Sequence, residues 1–136
     1  VEEKLPFPEI MSRLCSQPCA DICHRNKNGD HAVNIRGLKR YLTEIYESRP
    51  PALPAVVDVS GKTVAIVGAG PAGLTAAFDL RKHGHAVTLF DSEAEPGGML
   101  RWAVPEFRMP GRILKREIER LLQMGLRFQV RVKLGW

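Results

Sequence analysis

At 136 residues and 44% apolar content the chain has enough sequence and enough hydrophobic side chains to build one core, which excludes a disordered polypeptide as the default. Its formal charge of +5 lies wholly in the second part: residues 1–60 carry 8 Lys/Arg against 8 Asp/Glu, and residues 61–136 carry 12 against 7. No apolar run approaches the roughly 20 residues needed to cross a bilayer. The start, Val1-Glu2-Glu3-Lys4, lacks the basic stretch and apolar core of a signal peptide, so a cytoplasmic protein without a membrane partner is expected.

Residues 1–48 show no strand pattern and read as a small helical unit. Cys15, Cys19 and Cys23 come four apart, an odd number packed too closely for a disulfide framework. A polar run from His24 to His31 holds an Asn28-Gly29 turn signal, after which Ile35, Leu38, Leu42 and Ile45 fall on one face of a helix. The cysteine spacing admits three readings: thiolate ligands of an iron-sulfur cluster, a zinc site completed by His24 or His31, or free thiols. Arg49-Pro50-Pro51-Ala52-Leu53-Pro54 cannot continue a helix, because proline lacks an N–H and restricts the residue before it. Residues 49–60 are therefore the linker.

From residue 61 to 136 the pattern alternates. A short apolar strand (Thr63 to Val67) is followed by a glycine-rich turn, a helix (about Pro71 to His83) and a second strand (Ala86 to Phe90). A helix near Gly111 to Met124 and a third strand near Leu126 to Val132 follow, and such alternation predicts an α/β fold with parallel strands. The cluster Arg108, Arg112, Lys115, Arg116 and Arg120 suggests nucleic acid at first sight. Its arrangement argues against that. Glu117 and Glu119 interrupt it, and Ile113, Leu114, Ile118, Leu121 and Leu122 recur at helical spacing, as in an amphipathic helix with a solvated mixed-charge face.

Gly68-Ala69-Gly70-Pro71-Ala72-Gly73 matches G-x-G-x-x-G in the context that gives this motif meaning: a Val-Ala-Ile-Val strand precedes it, a helix follows, and Asp91 lies 18 residues beyond the last glycine. Gly68 permits the tight turn, Gly70 lets the backbone approach a pyrophosphate, and Gly73 lets helix and strand pack closely. The pyrophosphate would rest at the positive end of the helix beginning near Pro71. Asp91 would accept hydrogen bonds from the ribose, and with Glu93 and Glu95 behind it would repel a 2′-phosphate, which disfavours NADP at this site. FAD and NAD share the fingerprint. Gly97-Gly98, six positions after Asp91, would let the chain pass close to the cofactor, unless it is a turn without function.

The run Gly98-Met99-Leu100-Arg101-Trp102-Ala103-Val104-Pro105-Glu106-Phe107-Arg108-Met109-Pro110, preceded by Gly97, resembles the segment after the FAD fingerprint in the glutamate synthase small-subunit family, which includes the N-terminal flavin region of dihydropyrimidine dehydrogenase. The resemblance implies a Rossmann-like FAD-binding half-domain, with FAD contacts from Gly68, Gly70, Pro71, Ala72, Gly73, Asp91, Gly98, Met99 and Arg108. Glutamate is the usual acid, and Asp91 is one methylene shorter. Pro6-Phe7-Pro8-Glu9-Ile10, the three cysteines and Val33-Asn34-Ile35-Arg36-Gly37-Leu38-Lys39-Arg40 are similar to the end of the family's helical domain for two [4Fe-4S] clusters. That similarity implies cluster ligands at Cys15 and Cys19 for one cluster and Cys23 for the other, an incomplete set without an upstream cysteine group. Lys39 stands near a position where dihydropyrimidine dehydrogenase uses glutamine, and a protonated lysine cannot coordinate iron.

A full family member is much longer, so the resemblance implies a fragment or divergent member. The parent would take NAD(P)H in a further domain and pass electrons through FAD to clusters and a redox partner subunit. No residue here presents a persuasive acid, base or nucleophile. Two other readings stand beside this one: a truncated, non-catalytic dinucleotide-binding or interaction module, and an NAD-binding domain with a zinc-binding helical extension.

Overall fold

The computed structural model describes residues 5–48, 52–56 and 59–135; residues 1–4 and part of the expected linker, 49–51 and 57–58, lie outside the described residues. The first unit holds α1 (Pro8–Leu14), a 3-10 turn (Pro18–Ala20), α2 (His24–Lys27) and α3 (Ile35–Ser48). Pro8 opens α1 at its first turn, where a missing N–H costs nothing, and Glu9 and Arg13 sit at the ends that the helix dipole favours. Asn34 caps α3: its Oδ1 accepts the Gly37 N–H at 2.9 Å.

The second unit runs β1 (Thr63–Val67), α4 (Pro71–Lys82), β2 (Ala86–Phe90), α5 (Met99–Trp102), α6 (Gly111–Gln123) and β3 (Arg127–Gln129). The strands form a parallel sheet in the order β1-β2-β3, with Val64 opposite Val87, Ile66 opposite Leu89 and Leu89 opposite Phe128. Parallel neighbours need a crossover, and α4 supplies the first and α6 the second. Leu74, Ala77 and Phe78 of α4 and Ile113, Leu114, Ile118 and Leu121 of α6 join Val87 and Leu89 in one core. The alternate residues of β1 point the other way, and Val67 is 70% exposed.

Both crossovers and all three strands follow the sequence reading, and four details differ. The third strand is shorter than expected, because Arg131 takes a left-handed φ of 60° and its N–H turns to the Glu93 carbonyl at 3.0 Å instead of continuing the ladder. Met99–Trp102, to which the sequence pattern assigns no element, forms one helical turn. Glu117, placed on the solvated face of α6, is buried, while Leu122 from the apolar stripe is largely exposed. The stripe of α3 forms a helix face as expected, yet Ile35, Leu38, Leu42 and Ile45 remain 40–56% exposed.

The burial of Glu117 comes from the way the two units meet. Phe7 and Ile10 enter the core of the second unit, which draws the first turn of α1 onto α6. Glu117 Oε1 accepts the Glu9 N–H at 3.2 Å, and the buried Glu9 carboxylate pairs with Arg116 and lies 3.7 Å from Arg13. On the other side of α1, Ser12 donates to the Glu9 carbonyl at 2.7 Å and meets Thr43 of α3 at 3.5 Å, both side chains fully buried. Leu53 and Val56 of the linker pack against the same core.

Removing one partner of a buried ion pair leaves an uncompensated charge. Arg116→Met leaves Glu9 with Arg13 alone, and because Arg116 is about a third exposed the cost is set below the buried-pair range, at about 2 kcal/mol. Urea unfolding is the measurement, and a variant within experimental error of the parent would show that the joint carries no stability.

Candidate functional site

The glycine turn is set by two contacts that the sequence makes possible. The Gly68 N–H donates to the Phe90 carbonyl at 2.7 Å with Gly68 at φ 97°, which anchors the turn to the end of β2. A Cβ on Gly73 would sit 1.9 Å from the Gly68 carbonyl oxygen, so the close approach of helix to turn requires glycine there.

Gly70 caps α4 and Pro71 is its first residue. The Leu74 N–H makes the first intrahelical bond, to the Gly70 carbonyl at 2.9 Å, so the N–H groups of Ala72 and Gly73 are among the unpaired donors of the helix end. A Cβ on Gly70 would meet nothing within 4 Å: the space over the turn is open. Positive dipole, unpaired donors and an open cradle at a twelve-residue helix form a site suited to a pyrophosphate.

Gly97 and Gly98 close one side of this cradle. The Gly97 N–H donates to the Ala69 carbonyl at 2.8 Å, and a Cβ on Gly98 would lie 2.9 Å from the Gly70 Cα. Met99 follows as the first residue of α5 and is 66% exposed. Arg101 holds the loop in place by donating from Nε and Nη2 to the Pro96 carbonyl at 3.2 and 3.1 Å and pairing with Glu95 at 2.6 Å.

Asp91 occupies the expected place at the end of β2 with a further task. Its Oδ2 accepts the Ala69 N–H at 2.6 Å and its Oδ1 the Glu93 N–H at 2.9 Å, so the carboxylate clamps the glycine turn. Each oxygen keeps a lone pair for a ribose hydroxyl. The structure thus brings Gly68, Gly70, Pro71, Ala72, Gly73, Asp91, Gly98 and Met99 to one end of the sheet. Arg108 is exposed and lines a separate cavity facing the helical unit, with Arg13, Arg36 and Arg40. Ala69 is a contributor that the motif reading passed over, its one signal being its place inside the fingerprint, whereas Gly97 stands out in the sequence with Gly98 as a pair passing close to the cofactor.

The cysteines take three different local positions. Cys15 caps the C-terminus of α1, Cys19 lies in the 3-10 turn and Cys23 precedes α2. The Gln17 N–H donates to Cys15 Sγ at 3.3 Å, and backbone hydrogen bonds, first from Val33 and then from Arg25, hold the Cys23 thiol below its usual pKa. Among the described residues no three His, Cys, Asp or Glu side chains gather as a metal site, so the thiols do not by themselves fit one cluster or a zinc ion completed by His24 or His31.

A strand, a glycine turn and a helix on a parallel sheet, joined to a cysteine-bearing helical unit, define a Rossmann-like dinucleotide-binding half-domain with a small α-helical domain before it. Comparison with known proteins gives the same division. Residues 1–50 match the family described as dihydropyrimidine dehydrogenase domain II, 4Fe-4S cluster, and residues 66–123 match the NAD(P)-binding Rossmann-like domain.

The chain is homologous to subunits of several oxidoreductases. It is 33% identical to the NADP(+)-dependent formate dehydrogenase subunit beta of Moorella thermoacetica, covering 99% of this chain and 22% of that protein. It is 37% identical to the glutamate synthase [NADPH] small chain of Mycobacterium tuberculosis (95% and 26%), and 31% identical to the NAD-dependent dihydropyrimidine dehydrogenase subunit PreT of Salmonella typhimurium (99% and 33%). The chain spans about a fifth to a third of the length of the curated relatives it matches. Among the described residues, no helix is long and apolar enough to cross a membrane.

Two glycines separate folding from binding. Gly73→Ala forces a Cβ onto a backbone oxygen and costs about 3 kcal/mol. Gly70→Ala, at φ −78° with open space above it, stays within about 1 kcal/mol of the parent. Thermal unfolding of the two variants tests the contrast, and equal midpoints would contradict the packing described for the turn.

Proposed function

We propose that this chain is the cluster-ligand and FAD-binding portion of an NAD(P)H-dependent iron-sulfur flavoprotein oxidoreductase. The observation that carries the reading is the open cradle at the α4 N-terminus, walled by Gly98 and clamped by Asp91, in a chain whose preceding residues match a 4Fe-4S domain. The pyrophosphate of FAD rests over Gly70 against the N–H groups of Ala72 and Gly73. The ribose of the adenosine half bonds to Asp91, and Gly98 and Met99 flank the cofactor's path, whereas Arg108, in the separate cavity facing the helical unit, is not assigned to FAD. FAD, when bound, accepts hydride and releases electrons singly, while the protein places and tunes it.

Residues 1–48 serve as the cluster segment, 49–60 as the linker and 61–136 as the first part of the FAD domain. Cys15 and Cys19 ligate one [4Fe-4S] cluster and Cys23 the other, with the remaining ligands supplied outside this chain. NAD(P)H binds a further domain of the parent, and electrons leave to a redox partner subunit, in the cytoplasm. The names of the relatives pair NADPH, NADP(+) or NAD with different second substrates, which supports a shared pyridine-nucleotide half with a variable redox partner.

The purified chain is expected to bind FAD in a fluorescence titration, with Gly70→Ala weakening it about tenfold or more because its Cβ fills the cradle. Tight binding of NAD with none of FAD would overturn the flavin assignment. Reconstitution with iron and sulfide is expected to give no stable cluster in this chain alone. A stoichiometric [4Fe-4S] spectrum would sink the division of ligands between two clusters.

A further inference from the structure

A second cavity, of 470 Å³, opens between α1, the first turn of α3 and the turn leading into α6. Its walls carry four guanidinium groups from three separate elements: Arg13 of α1, Arg36 and Arg40 of α3, and Arg108. Like charges gathered around one solvated space repel one another unless something balances them. The acids within reach do so only in part. Glu44 accepts from Arg40 at 2.9 Å and lies 3.9 Å from Arg13, and Glu9 is shared between Arg13 and Arg116. Arg36 donates only to the Cys15 carbonyl, at 3.2 Å, and neither it nor Arg108 forms an ion pair among the described residues.

The remaining wall adds donors. Asn34 Oδ1 is committed to the Gly37 N–H, which leaves its amide group free to donate, and the positive end of α3, a fourteen-residue helix, lies on the same side. Arg13, with a side chain 10% exposed, lines the cavity, and its buried Nε has no hydrogen-bond partner among the described residues. Guanidinium groups converging from several directions suit a tetrahedral oxyanion, whose oxygens point several ways, better than a planar carboxylate, which one guanidinium satisfies with a bidentate pair. Phe107, 91% exposed beside Arg108, offers an apolar ring at the rim.

We propose that this cavity is a phosphate-binding site, taking orthophosphate or the terminal phosphate of a small ester, separate from the pyrophosphate cradle of the dinucleotide turn. The dianion bridges Arg36 and Arg108 and so ties the helical unit to the turn before α6. It thereby adds to the joint that Glu9 makes on the other side of α1. The proposal does not rest on the FAD reading, since the glycine turn contributes nothing to the cavity's walls.

Orthophosphate and phenyl phosphate, each titrated calorimetrically into the 136-residue chain at constant ionic strength, test it. Saturable binding is expected. Arg36→Gln and Arg40→Gln each weaken it about tenfold, the loss of a charged hydrogen bond to the anion. Glu44→Gln, which frees Arg40 and Arg13 from their shared acid, tightens it about threefold. FAD binding stays unchanged in all three variants, so failure of the flavin assignment and failure of this one are read separately. Circular dichroism confirms that each variant is folded, and the opposite sign of Glu44→Gln cannot arise from unfolding. A preference for phenyl phosphate assigns a phosphate ester stacked on Phe107, and equal affinity assigns orthophosphate. No binding above a chloride control, equal protection by malonate, or unchanged affinity in both arginine variants would overturn the site.

Discussion

The buried carboxylate of Glu9 holds the molecule's two units in one arrangement. It is drawn out of water by Phe7 and Ile10, which enter the core beside it, and such burial is tolerable only with cationic partners in place. Arg116 from α6 and Arg13 from its own helix provide them, while Glu117 receives the backbone N–H of the same residue. Helix α6 therefore works on two sides: Ile113, Leu114, Ile118 and Leu121 close the core over the sheet, and Arg116 and Glu117 receive the helical unit. A purely apolar contact would hold the units together without fixing their angle. Paired charges and a hydrogen bond depend on distance and direction, and so favour one angle over others.

A comparable economy governs the dinucleotide turn. Gly73 must approach the Gly68 carbonyl, and Gly98 must approach Gly70, so two glycines separated by a strand and two loops are tied to one piece of backbone. Asp91 completes the assembly from below by accepting the Ala69 N–H. Its short side chain is consistent with this double duty, since the carboxylate stays close to the turn it clamps. The cradle's shape is therefore built into the resting protein through backbone contacts, and a ligand arriving there finds donors already oriented.

Much of this was legible in the amino-acid sequence because it rests on local pattern. The short apolar run from Thr63 to Val67, the glycine spacing and the proline at the start of α4 each point to one structure, and β1, α4 and β2 fall where those residues put them. Features that depend on a partner far along the chain were not legible. Glu117 looks like any surface glutamate until Glu9, 108 residues away, brings its N–H to it. Arg131 leaves the third strand because its N–H turns to Glu93, which no propensity for that segment contains. The four arginines of the second cavity are scattered from position 13 to position 108, and only the docking of α1 between α3 and α6 gathers them. The cysteines read as candidate ligands by type and family likeness, and their separation onto a helix end, a 3-10 turn and the start of α2 is a property of the folded loop.

In the proposed reading, electron transfer between a flavin and a cluster would depend on the distance and orientation between them, and those quantities would belong to the joint and not to either site. The glycine turn is complete within the second unit, and the thiols lie within the first. What relates them is α1, anchored to α6 through Glu9 and to α3 through Ser12 and Thr43, with Cys15 at its C-terminal end. A movement of α1 would shift Cys15 relative to the cradle while leaving the cradle intact. Burying a charged group at this point makes such movement costly, because any displacement that separates Glu9 from Arg116 and Arg13 leaves an unpaired charge in the core. The ion cluster is thus best understood as a device for fixing geometry, and its location between the two units is where fixed geometry has a use.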